Sequence, residues 1–182
     1  MTTATTAPLA GSYSADRDHS SFAFAVRHMG VSTFRGSFSD VEASAVVGAD
    51  GSLRLDGAAR ADSISIVSPP DLRAHVLSAE FLDAERHPQI VFSAAPAHPA
   101  PDGTIEVQGL LTIRNVTLPV VATGTWSAPI EDPYGATRAA LELSATIDRR
   151  DYGITWNMAL PKGGDALGTQ VTLSVALELI GD

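Results

Sequence analysis

Five histidines, His19, His28, His75, His87 and His98, are the side chains in this sequence best suited to proton transfer or metal ligation. No two of them share a helix face at ligand spacing, and no HExxH pattern occurs. The spacing predicts loop positions for His87 and His98. It predicts hydrogen-bonded positions at the edge of an apolar interior for His28 and His75. No metal site is expected. There is no GxSxG, and Pro161-Lys162-Gly163-Gly164 is followed by no GKS or GKT, so a phosphate cradle is not indicated. The sequence holds no cysteine, which excludes disulfides, thiol redox chemistry and cysteine metal sites. The densest charge cluster is Asp148-Arg149-Arg150-Asp151. One reading closes a strand end with surface ion pairs. The other has Arg149 or Arg150 holding an anionic head group.

The elements that must carry these groups sit in an acidic, apolar chain. Its 182 residues are 45% hydrophobic and 18% charged, with a formal net charge of −9. The 12 basic residues are scattered and include one lysine, Lys162. Nucleic acid and anionic membrane surfaces both select clustered cations, so neither partner is expected. Residues 1–10 lack a basic start and an apolar run, and read as a loose tail rather than a leader. No stretch approaches the ~20 apolar residues of a membrane span. The expectation is a cytoplasmic protein with no stable membrane insertion, folded as one domain over residues 11–182.

Period two dominates that domain. Phe22, Phe24, Val26 and His28 share one strand face, and Leu141, Leu143, Ala145 and Ile147 another. Val171, Leu173, Val175, Leu177 and Leu179 form a third. Further strands are predicted over Phe34–Val47, Leu53–Asp62, Gln89–Ala95, Thr104–Ile113 and Leu118–Ser127, with turns at Asp50-Gly51, Pro101-Asp102-Gly103 and Pro133-Tyr134-Gly135. About eight strands with short connections suggest a barrel or sandwich. One short helix is expected over Pro69–Ala79, capped by Ser68 and crossing one end of the sheet. His87-Pro88 stops that segment.

Large apolar side chains are plentiful for one small barrel, and such a barrel either fills its interior or holds one ligand. Ala43, Ala45, Ala59 and Ala61 are small residues on strands that would leave room inside. Alternation by itself leaves a packed core and a cavity both open.

Four stretches resemble the YceI-like family, polyisoprenoid-binding and lipocalin-like. They are Asp18–Phe38 (DHSSFAFAVRHMGVSTFRGSF), Ser78–Phe92 (SAEFLDAERHPQIVF), Val107–Thr117 (VQGLLTIRNVT) and Ile147–Asn157 (IDRRDYGITWN), in the family's order and spanning nearly the whole chain. The resemblance implies an all-β fold: an extended eight-stranded antiparallel lipocalin-like barrel with a short helix covering one end and a long apolar tunnel. It implies binding, sequestration or transport of a polyisoprenoid, an isoprenoid quinone or another long-chain lipid, with no catalysis and no cofactor beyond the lipid.

Residues placed against that ligand are Phe22, Phe24, Val26, His28, Phe34 and Phe38 near the start, and Leu72, His75, Phe81, Leu82 and Phe92 in the middle. Leu111, Trp126, Leu143, Trp156 and Met158 complete the set, with Arg73, Arg149 and Arg150 as head-group contacts. The chain departs from the family pattern at Leu72 and Arg73, where an Arg-Asp pair is usual, at Leu77 in place of an arginine, and at Asn115 in place of a glycine. These departures put the family's usual head-group contacts in doubt and leave the barrel untouched. Two other readings stand beside this one. An enzyme of cyclase or isomerase type would use His75, Arg73 and Asp151 as acid–base groups. A filled barrel would act through its surface. Open sheet edges and low surface charge leave room for a homodimer.

Overall fold

The computed structural model describes residues 10–182; the expected tail falls almost wholly on residues 1–9, outside the described residues. The strands are β1 (Gly11–Ala15), β2 (Ser21–His28), β3 (Ser32–Phe38), β4 (Val41–Val47), β5 (Leu53–Arg60), β6 (Gln89–Ala94), β7 (Thr104–Ile113), β8 (Val116–Glu131), β9 (Thr137–Asp148) and β10 (Leu167–Gly181). Helix α1 spans Pro70–Leu77, and 3₁₀ turns cover Ala61–Ser63 and Arg149–Tyr152.

All ladders are antiparallel, and they close. β10 pairs on one side with β9; on the other it pairs with β2 over its first half and β1 near its end. β1 and β2 thus share one place in the wall. β3 and β4 share the next, β3 on β2 and β4 between β1 and β5. The ring therefore has eight positions, the barrel expected from sequence. β3 has β2 as its one strand neighbour; its other edge is held by a bridge between Phe38 and Ile64 and by Ser65 N–H donating to Ser37 O.

The single strand expected over Phe34–Val47 is two strands. Ser39 and Asp40 leave the ladder: Ser39 N–H donates to Ser63 O, and Asp40 O accepts from Arg60 N–H. β1 had no usable sequence signal, because Tyr13 is its one buried residue and a single apolar position sets no period. The β7–β8 hairpin turns on Arg114 and Asn115, both at positive φ (51° and 62°). Asparagine tolerates that region, so the departure from glycine is accommodated.

Helix α1 starts one residue later than expected. Pro69 takes the N-cap position with extended backbone and Pro70 opens the helix, so Ser68 makes no cap. The reason is steric: a residue before proline is pushed out of the helical region, and Pro69 precedes Pro70.

One end of the barrel is packed solid. Leu53, Leu141, Leu179 and Val107 are the largest fully buried side chains, and Tyr13, Val47, Ile105 and Ala139 pack with them. Ala45 belongs to this plug and Ala61 to a 3₁₀ turn, so neither leaves room for a ligand. Over this end, Arg138 binds Asp16, Asp132 and Glu178.

Candidate functional site

Away from the plug, the same alternating strands enclose space. A deep chamber of about 130 Å³ lies between Phe22, Ala43, Ala59, Phe92, Leu111 and Leu173, and ends on Leu55, Leu141 and Leu177 of the plug. An outer chamber of about 370 Å³ adjoins it, with Phe38, Ile90, Ile113 and Leu173 in both walls. The deep wall is apolar, since Asp56, Ser144 and Ser174 are exposed and belong to outward strand positions.

Why the phenylalanines do not fill this space is a matter of glycine placement. Phe24 stands directly opposite Gly36 on β3. A methyl group at Gly36 would lie 2.6 Å from Cζ of Phe24. Likewise, a methyl at Gly109 would lie 2.5 Å from Cε2 of Phe92, and at Gly57 3.5 Å from Cζ of Phe22. Each ring is laid against backbone that has no side chain, so it lines the lumen instead of plugging it. Phe34 and Phe38 flank Phe24 with centroids 6.1 and 5.9 Å away.

α1 and the segment after β9 close over the outer chamber. His75 meets Phe81 and Trp156 edge-on, at 4.9 and 5.0 Å, and Phe81 lies 5.2 Å from Trp156. His75 Nε2 is 2.7 Å from Glu80 Oε2. The helix is anchored by Arg73, which donates to the carbonyls of Asp62, Ile64 and Ile66. Below it, the Asp83 carboxylate is buried 2.6 Å from Arg86, whose hydrogen bond holds its pKa below the ordinary value. Met29, Leu72 and Met158 line the outer chamber and are also exposed, which marks its mouth.

Of the residues singled out from sequence, Phe22, Phe92, Leu111 and Leu143 line the deep chamber, and Phe38 lines both. Phe24, Val26, His28, Phe34, Leu72, His75, Phe81, Leu82, Trp156, Met158 and Arg149 line the outer one. Three do not reach the wall. Trp126 pairs across from Leu141 at the closed end of β8 and packs on the plug, because β8 runs past the hollow part of the barrel. Arg73 spends its donors on the helix anchor. Arg150 lies outside in an ion pair with Asp148, 2.6 Å apart. Asp151 is exposed and, like Arg73, off the chamber walls, so His75 stands there without the two acid–base partners expected for it.

Arg149 is no surface ion pair. It is 4% exposed and donates to the carbonyls of Gly168, Ile154, Trp156 and Leu167. Desolvation lowers its pKa from the ordinary arginine value. Sequence reasoning missed Tyr152, which is 2% exposed and lines the outer chamber. It sits in a 3₁₀ turn, where no period of two or 3.6 flags an inward residue. Leu173 and Ile147 were visible in the alternation but not separable from plug residues on the same faces. His28 lines the outer chamber, where a hydrogen bond was expected; none forms among the described residues. Elsewhere, ligand atoms of Asp16, His19 and Glu178 fall within 4.8 Å of one another, but Arg138 already binds both carboxylates. No helix among the described residues is long and apolar enough to cross a membrane.

Solved structures share this architecture. BcnA of Burkholderia cenocepacia superposes with a TM-score of 0.74 at 17% identity, covering 90% of this chain and 98% of that one. A YceI protein of Campylobacter jejuni gives 0.70 at 18% identity, covering 86% and 90%. A polyisoprenoid binding domain from Saccharophagus degradans gives 0.60 at 14%, covering 93% and 98%. Among sequences, a UPF0312 protein of Pseudomonas putida is 28% identical over 93% of this chain and 86% of its own length. The YceI-like domain model matches residues 13–179, nearly every residue of the barrel and its lid, and on that match the chain belongs to the YceI-like family.

Proposed function

We propose that the protein binds and carries a polyisoprenoid, an isoprenoid quinone or another long-chain lipid, without covalent chemistry. The observation that carries this reading is the pair of adjoining apolar chambers running from an exposed greasy mouth to a packed plug. Likeness to a polyisoprenoid binding domain agrees with it. A chain entering past Met29 and Met158 would bury ~0.8 kcal/mol of apolar free energy per methylene. Part of that is lost to ordering the chain. The narrow deep chamber admits a single chain, so length and girth govern selection.

Native mass spectrometry of the purified protein tests the reading. The expected result is a co-purified lipid, or uptake of added prenyl quinone or fatty acid at one molecule per chain. Affinity should rise with chain length until the plug is reached. An empty protein that takes up neither class would overturn it.

A further inference from the structure

The polar side chains lining the tunnel are confined to its outer chamber, and three of them, Tyr152, Trp156 and His28, make no side-chain hydrogen bond among the described residues. Tyr152 is 2% exposed and its hydroxyl makes no hydrogen bond among the described residues. Among the described residues, the one fully sealed side-chain polar atom with no partner beyond its ion pairs is Oδ2 of Asp83, held against Arg86 and His87. The Tyr152 hydroxyl thus keeps some accessible surface, and its side chain lines the outer chamber. A phenol held from water without an acceptor is unfavourable, and the deficit is removed by whatever brings an acceptor to it.

Arg149 lies three residues earlier in the same 3₁₀ turn and lines the same chamber. A guanidinium has five N–H donors, and four of these go to backbone carbonyls. One Nη2–H remains. No carboxylate among the described residues forms an ion pair with Arg149; Asp148 and Asp165 act on it only at a distance. A buried cation solvated by carbonyls alone keeps a positive potential inside a greasy wall. The chamber wall thus holds the unmet donors of Tyr152, Arg149 and the Trp156 indole N–H, and no carboxylate among the described residues lines it.

We infer that the outer chamber is a head-group site for a long-chain molecule ending in a hydrogen-bond-accepting oxygen, a carbonyl or a carboxylate, received by the Tyr152 hydroxyl and the remaining Nη2–H of Arg149. The tail lies in the deep chamber, where nothing polar meets it. This rests on the lipid-binding reading above and narrows it: a bare hydrocarbon of equal length leaves both donors unmet. Burial raises the Tyr152 pKa, which keeps the phenol a donor at neutral pH.

The test measures three probes of matched length, palmitate, a long-chain methyl ketone and hexadecane, on the full chain and on Tyr152→Phe. The expected result is a preference for the two oxygenated probes over hexadecane that shrinks about three- to tenfold in Tyr152→Phe. Palmitate ahead of the ketone would identify a carboxylate head; the reverse, a neutral carbonyl. The empty variant should unfold no earlier than the parent, since the hydroxyl it loses has no partner. Equal weakening of all three probes, no change in the preference, or a clearly destabilised empty variant would overturn the inference while leaving lipid binding standing. Failure of every probe on the parent protein would overturn both.

Discussion

The two ends of this barrel are built from the same strands, with the same inward alternation and the same apolar residue types, yet one is solid and the other hollow. At the solid end Leu53, Val107, Leu141 and Leu179 point at one another and exclude water. At the hollow end Phe24, Phe92 and Phe22 lie on Gly36, Gly109 and Gly57 and hug the wall. Hydrophobicity therefore decides which face is inside, and the pairing of ring with glycine decides whether that inside is filled. The solid end supplies stability and the hollow end supplies space.

The sharpest way to break this comparison is to shorten two leucines of β10, one in the plug and one in the hollow part of the barrel. Leu179 is 0% exposed in the plug, whereas Leu173 borders both chambers. Leu179→Ala should destabilise by about 2–5 kcal/mol, the range for a large-to-small change that leaves a cavity. Leu173→Ala should cost about 1 kcal/mol, because part of its surface already faces empty space and loses few contacts. Denaturant unfolding of the two ligand-free variants checks this. Equal losses would mean that the chambers are not open in solution.

A second test adds a methyl group to a glycine at each end. At Gly124 the new Cβ would fall 1.8 Å from the Glu142 carbonyl oxygen, a backbone atom that cannot step aside. Gly124→Ala should therefore push β8 off β9 and destabilise by about 1–3 kcal/mol or more. At Gly36 the obstacle is the ring of Phe24, which can swing into the lumen. Gly36→Ala should leave the unfolding midpoint nearly unchanged and reduce the length of chain the tunnel accepts. Melting curves read with and without a long-chain probe separate the two effects.

The contrast also explains what was legible in the sequence. Period two placed Phe24, Leu141 and Leu179 on inward faces, because a strand reports its sidedness locally. It could not tell Leu179 in the plug from Leu173 in the tunnel, since that depends on what stands across the barrel, many residues away. The same blindness put Trp126 in the site and joined β3 to β4. Start signals and helical spacing found α1, and motif resemblance found the Ile147–Asn157 segment. It did not show that Arg149 is spent mostly on carbonyls or that Arg73 anchors α1, because hydrogen-bond partners on distant backbone leave no trace in spacing. Tyr152 was invisible for a related reason, lying in a turn with no periodicity to read.

The smallest expected effect concerns the turn that holds Arg149 and Tyr152 at the hollow end. Asp148 caps that turn by accepting from Arg150 N–H, and its carboxylate also receives Nε and Nη2 of Arg150. These hydrogen bonds pull its pKa from the ordinary 3.8 down to about 2. A carboxylate depressed in the folded state stabilises it above its ordinary pKa, and that contribution disappears as pH falls from about 4 through about 2. Asp148→Asn should remove most of the pH dependence in this window, so parent and variant, distinct at neutral pH, converge near pH 2. The ion pair is on the surface, so the gap is small and shrinks in salt. At the solid end the hydrogen bond from Arg138 lowers the pKa of Asp132, so Arg138→Gln should flatten the acid limb of stability as well. The two variants part company on ligand. Loosening the Asp148 cap should weaken lipid retention at moderately acid pH, because the turn it caps forms part of the outer wall. The change at Arg138 should leave retention alone. Lipid release measured between pH 3 and 5 for both variants, at matched stability, shows whether the hollow end answers to its own rim or to the barrel as a whole.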